Sequence, residues 1–198
     1  MNMRKIRFLG VLVLFLAGCL APRYSIPTQP GGDYAQLYSA GAWGEDSDIW
    51  IYPDDTFKVT RISSRSRRIE GTRSGYRRGA FHSVVDLVQK ENAWKITSGS
   101  LARDTDAAET RQREAVGVMD SSHDYVEIRF GGQTMKADYS GAEGYAEMLP
   151  SAKLVVSFAR IVKRMESLTR ETGRVDTAGV SCPADMDGHN RRGERKVQ

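Results

Sequence analysis

The chain has 198 residues, with 29 Lys and Arg against 25 Asp and Glu, and two cysteines. Three of the cations lie in residues 1–18, which carry no acid, so residues 19–198 hold 26 cations against 25 acids. That near-neutral balance removes the case for a nucleic-acid partner that the formal charge of +4 would suggest. No apolar stretch approaches the roughly 20 residues of a spanning helix, and two cysteines exclude a disulfide framework.

The chain opens with Arg4, Lys5 and Arg7, then an apolar run at 8–16 broken only by Gly10, then Leu16, Ala17, Gly18 and Cys19. A basic start, a short apolar core and a small-residue end are the pattern of a secretory signal. The cysteine directly after the small residues resembles the lipobox of bacterial lipoproteins, a resemblance confined to the first twenty residues. It implies cleavage before Cys19, a diacylglycerol on the Cys19 thiol and, as is usual in that family, a further acyl chain on its amino group. Two or three acyl chains, at about 0.8 kcal/mol per buried methylene, would hold the chain on a bilayer. Leu20 stands where an Asp tends to retain such proteins at the inner membrane, so the resemblance implies an outer-membrane address facing the periplasm. Lipidation of Cys19 would leave Cys182 without an internal partner.

This divides the chain into a signal at 1–18, a lipidated tether at 19–33, one domain at 34–173 and a disordered tail at 174–198. Pro22, Pro27, Pro30, Gly31 and Gly32 mark the tether. Residues 34–44, with Tyr34, Leu37, Tyr38 and Trp43 among small residues, read as a helical turn or a segment packed on the domain. Residues 48–62 read as a hairpin: Ile49, Trp50, Ile51 and Tyr52, then the turn residues Pro53, Asp54 and Asp55, then Phe57 and Val59 at strand period. Residues 63–74 read as a Ser/Arg loop, with Ile69 marking a short extra strand.

Residues 75–96 admit two readings. As a helix, Tyr76, Ala80, Phe81, Val84, Leu87 and Val88 share a face, with Ser74 as the cap. As a hairpin, residues 84–88 and 94–96 would flank a turn at 90–92. Helical length and spacing favour the first. Residues 99–122 are polar, with a helical turn at 107–115. Residues 125–130 and 133–139 flank Gly131-Gly132, a two-residue hairpin turn. Its register places Phe130 opposite Gln133, Ile128 opposite Met135 and Val126 opposite Ala137, and pairs Glu127 with Lys136 on the other face. Residues 140–149 read as a connection with a helical turn near Tyr145 and Met148. From Pro150, the residues Leu154, Phe158, Ile161, Val162, Met165 and Leu168 recur at helical spacing, with Gly173 as a stop. The fold class is α+β: two layers, an antiparallel sheet built from two hairpins with two helices on one face.

Charge is distributed unevenly. Residues 33–55 hold six acids and no cation, whereas residues 58–78 hold eight cations against Glu70 alone. Arg65, Arg67, Arg68, Arg73, Arg77 and Arg78 are therefore candidates to bind an anionic envelope ligand, such as lipid phosphates or an acidic polymer. The competing reading is a solvated stretch whose cations face the acidic segment before it. His82, with Asp86 one helical turn on, and His123, beside Asp124, are the candidates for a catalytic base, with Ser83 or Ser121 as nucleophile. No GxSxG, HExxH or GxxxxGK[ST] motif accompanies them, and no metal or cofactor site is read. The Asp104/Asp106 and Asp185/Asp187 pairs lack the rest of a calcium loop. Cys182 and His189 are too few for a zinc site. Trp43, Trp50 and Trp94 suggest either a sugar platform or core residues. The leading functional reading is a lipid-anchored envelope protein with a structural or partner-binding role. The alternatives are an envelope hydrolase or an anionic-ligand binder through residues 58–78.

Overall fold

A computed structural model describes residues 31–41, 45–113, 115–118 and 121–170, and the backbone of 175–176. The signal, Cys19, most of the tether, Trp43, Gly173, Cys182, Asp185, Asp187 and His189 lie outside the described residues. Within them the chain forms β1 (Tyr34–Ala40), β2 (Glu45–Ile51), β3 (Thr56–Ser63), β4 (Ile69–Tyr76), α1 (Ala80–Lys90), a single 3-10 turn (Ala93–Lys95) and α2 (Ser98–Gln112). It continues with β5 (His123–Phe130), β6 (Gln133–Ser140), α3 (Ala142–Met148), α4 (Lys153–Arg170) and a two-residue β7 (Val175–Asp176). The strands make one antiparallel sheet in the order β6-β5-β1-β2-β3-β4-β7. The helices pack on one face, giving the two-layer α+β architecture read from the sequence.

Period-2 alternation sorts the strands' side chains. Ala35 and Leu37, Ile49 and Ile51, Phe57 and Val59, Val126 and Ile128, and Met135 and Ala137 point to the helical layer. There they meet Phe81, Val84 and Val88 of α1, Leu101 of α2, and Val155, Phe158, Ile161, Val162, Met165 and Leu168 of α4. Each fully buried Val, Leu, Ile, Phe or Met side chain among them contributes about 1.5–3 kcal/mol relative to exposure. The β5–β6 ladder has the register read from the sequence, with Phe130 opposite Gln133, Ile128 opposite Met135, Val126 opposite Ala137 and Glu127 opposite Lys136. The β2–β3 hairpin also stands where it was read, with Tyr52 and Asp55 closing its turn.

Four readings are corrected. Residues 34–40 are not a helical turn but a central strand, flanked by β2 and β5. Both faces of β1 are buried, so it lacks the polar alternation of a half-exposed strand. The Arg-rich segment after Ser63 is not all loop, because Ile69–Tyr76 pairs along β3, with a register shift at Arg61/Ile62. Of the two readings of 75–96 the helix is present, but it starts at Ala80. Tyr76 lies on β4 and is exposed, and Ser74 is no cap. Residues 98–112 form a full helix rather than a late turn; it starts with a Thr97/Ser100 capping box and buries only Leu101, Thr105 and Ala108, a stripe too narrow to read. The helical layer thus has four helices instead of two. In the segment read as tail, Val175 and Asp176 pair with Arg73 and Thr72.

Tertiary caps join the layers. Asp55, at φ 64 in the β2–β3 turn, accepts from the backbone N–H of Gly79 (2.7 Å) and of Phe81 (3.1 Å) at the start of α1. Asp104 of α2 accepts from Leu154 N (2.6 Å) at the start of α4. The Ser98 hydroxyl takes the Asp138 N–H on β6 at 3.0 Å and donates to its carboxylate, which closes part of that sheet edge to further pairing.

Asp55→Ala removes the acceptor for two helix N–H groups and places a β-carbon residue without compensation at positive φ. It should cost about 1–2 kcal/mol in chemical denaturation, whereas Asp55→Asn, which keeps an acceptor and tolerates that backbone, should cost less than half as much.

Candidate functional surfaces

No described helix covers the second face of the sheet, yet its residues are buried. Tyr34, Gln36 and Tyr38 of β1, Asp46, Asp48 and Trp50 of β2, and Glu127 of β5 are all closed to solvent. Cross-strand register makes them neighbours: Gln36 stands between Trp50 and Glu127, and Tyr38 between Asp48 and Tyr125. Three carboxylates organise the face. Glu127 accepts from the hydroxyls of Tyr34 (2.6 Å) and Tyr125 and from Arg129 Nε (3.1 Å), with Lys136 Nζ at 3.6 Å. Arg129 also lies over the Tyr34 ring and Lys136 over the Tyr125 ring. Asp48 accepts from Gln36 Nε2 (2.9 Å) and from the Trp50 indole (2.7 Å). Asp46 accepts from the Tyr38 hydroxyl (2.9 Å) and from Arg67 (2.7 Å).

Electrostatics differ sharply between two acids on the same strand. Burial by itself would raise the Glu127 carboxyl, but the Tyr125 and Tyr34 hydroxyls, Lys136 and Arg129 outweigh it, and the net shift is downward. The same partnership, led by burial, pushes both tyrosine hydroxyls well above their ordinary value. Asp124, on the helix side of β5, shifts the opposite way. Burial raises it more than the hydroxyls of Ser39 (2.6 Å) and Ser122 (2.9 Å) lower it, and Glu143 adds to the rise.

The candidate arginines are not gathered into one pocket. Arg67 is turned inward to Asp46 and Tyr38, with its guanidinium 5.7 Å from the Tyr38 ring centroid. Arg73 donates to the Thr169 carbonyl, and Arg77 to those of Ser167 (3.1 Å) and Leu168 (3.5 Å). These are orphan carbonyls at the C-terminal end of α4, where a cation also complements the helix dipole. Arg65, Arg68 and Arg78 are exposed, the first two in the β3–β4 turn and the third beyond the opposite end of β4. The Arg67–Asp46 and Arg61–Glu45 (3.7 Å) pairs are of the kind expected if these cations face the preceding acidic segment.

The histidines stand apart. His82 is exposed on α1, edge-on to Phe81 and near Phe130, and among the described residues nothing bonds it to Asp86. His123 Nδ1 lies 2.6 Å from Ser140 Oγ, and its Nε2 lies 3.5 Å from Asp138. Ser140 is the residue directly opposite His123 in the ladder, so sheet register accounts for the contact. The His123 side chain is 51% exposed, which leaves the pair open to water rather than enclosed around a substrate. Ser83 instead bonds Ala80 O and receives Arg164. Asp104 serves as a helix cap, and no cluster of three metal-ligating side chains occurs among the described residues. Trp50 is a buried strand residue bonded to Asp48, and Trp94 packs against the core.

The tyrosine–carboxylate face went unread in the sequence, since Tyr34 and Glu127 are 93 positions apart. Its one local sign is the even-numbered Tyr, Gln, Asp and Trp residues of β1 and β2. Neither family profiles nor curated proteins show a match to this sequence.

Glu127→Ala should cost about 3 kcal/mol near neutral pH, because it removes the acceptor of the buried Tyr34 hydroxyl and of the half-buried Tyr125 hydroxyl and an anionic partner of Arg129. The wild-type advantage over this variant should shrink in acid, as pH falls through the depressed folded value and the charge-linked part is lost. Asp124→Asn should behave oppositely. A raised carboxyl stabilises the fold only below that raised value, so the variant should gain on wild type as pH rises to neutrality. Urea denaturation at a series of pH values reads both slopes.

Proposed function

We propose that this protein is a lipid-anchored lipoprotein of a bacterial envelope, on the outer membrane facing the periplasm, whose α+β domain has a structural or partner-binding role. The observation that carries the reading is the sequence of residues 1–19: three cations, a short apolar run, and Leu16, Ala17 and Gly18 directly before Cys19. Among the described residues no helix is long and apolar enough to cross a membrane, so attachment in this reading is through lipid on Cys19.

The domain supports a binding role more than a catalytic one. Glu127, Asp48 and Asp46 are committed to tyrosine, indole and arginine donors on the second sheet face, Asp55 and Asp104 to helix ends, and His123 to a cross-strand pair. The hydrolase reading has the weaker support, since His82 bonds no acid or serine among the described residues and His123 sits in an open ladder pair.

Cys19→Ser in the producing cell tests the anchor. With metabolic labelling by an alkyne fatty acid, the wild type should take up label and sediment with the outer membrane. The variant should take up none and leave the membrane fraction. A variant that remains equally membrane-bound, or a wild type that takes up no label, would refute lipid anchoring.

A further inference from the structure

The geometry points to the outer edge of β4 as the docking site for an extended, acidic segment of a protein partner, added to the sheet as a further strand. The inference rests on the partner-binding half of the proposed function and is separate from its anchoring half.

Three observations carry it. First, β4 is eight residues long, about 26 Å of strand, and among the described residues its outer side is paired only at Thr72 and Arg73, by the two residues of β7. A long edge with so little pairing is a template for another strand. Second, the strand bears exposed apolar side chains at both ends, Ile69 at 52% and Tyr76 at 59% exposure, two of the three exposed large hydrophobic residues among those described. These would cover the ends of an added strand. Third, the edge is strongly positive. Arg65 and Arg68 stand at one end, Arg77 and Arg78 at the other and Arg73 at the centre, against Glu70 alone. Arg73 and Arg77 are turned to the carbonyl end of α4, so the exposed Arg65 and Arg78 present the edge's charge to a partner.

The charge also selects the occupant. A second copy paired antiparallel through β4, centred on Thr72 and Arg73, would set Arg65 and Arg68 of one copy beside Arg77 and Arg78 of the other. Like charges opposed in this way disfavour a self-paired dimer. An extended segment with carboxylates flanking a β-branched centre meets cations at both ends and displaces only the two-residue β7.

The test uses the native chain extracted in detergent. The probe is a short peptide alternating Thr and Val with paired Glu at each end, and the control carries Lys in place of Glu. Anisotropy should show the Glu peptide binding at least about tenfold more tightly than the Lys peptide, with affinity falling as salt rises. Amide exchange should slow in 69–76 on binding. The double variant Arg65→Glu/Arg78→Glu, both at exposed positions, should weaken binding by about tenfold while leaving thermal stability unchanged. Equal binding of the two peptides, binding indifferent to the double variant, or β4 amides already protected from end to end without peptide would each overturn the proposal; the last would mean that the chain's own residues close the edge. A peptide-independent dimer whose formation protects the same amides would overturn it in favour of self-pairing.

Discussion

The backbone ladder on both sides of β1 is the constraint on which the rest of the structure depends. On one side it carries β2, β3 and β4; on the other, β5 and β6. The β5–β6 hairpin follows α1 and α2 in the chain and has no other route into the sheet. Without β1 the domain would be a meander and an isolated hairpin, and a two-stranded hairpin is marginal in water. The side chains of β1 repeat the arrangement on each face. Ala35 and Leu37 belong to the apolar core, while Tyr34, Gln36 and Tyr38 each link a neighbouring strand's carboxylate on the other face.

The two faces solve burial differently. The helical face buries hydrocarbon, a non-directional gain that tolerates small shifts. The second face buries hydroxyls, an amide, an indole and carboxylates, which are stable only with their partners in place. That requirement fixes register, since a one-residue slip of β5 against β1 would separate Glu127 from Tyr34 and turn Glu127 to the apolar face. The Glu127 cluster thus pins the same seam that the ladder closes. Cations join the elements at their ends: Arg67 ties the β3–β4 turn to Asp46, and Arg73 and Arg77 tie β4 to the end of α4.

Much of this was legible where the signal is local. Gly131-Gly132 with its flanking alternation specified the β5–β6 register, and the apolar spacing from Leu154 to Leu168 specified α4. Strand β1 was not legible because tyrosines on one face and small residues on the other leave little contrast between alternate positions. Strand β4 was read only as a short extra strand at Ile69, because its arginines suggest a solvated loop until their partners, carbonyls some 90 positions away, are known. Helix α2 buries so few side chains that its composition resembles a linker. The candidate sites divide in the same way. The proposed role of Cys19 rests on a contiguous motif, whereas the roles of Tyr34, Glu127 and the arginines exist only once distant segments meet.

The cooperativity of β1 with both halves is most directly tested by amide hydrogen exchange across a denaturant series. Core amides of β1, β2 and β5 should exchange only through global unfolding, with the same free energy and the same denaturant slope. A lower-energy opening in which β5 and β6 exchange while β1, β2 and β3 stay protected would contradict it.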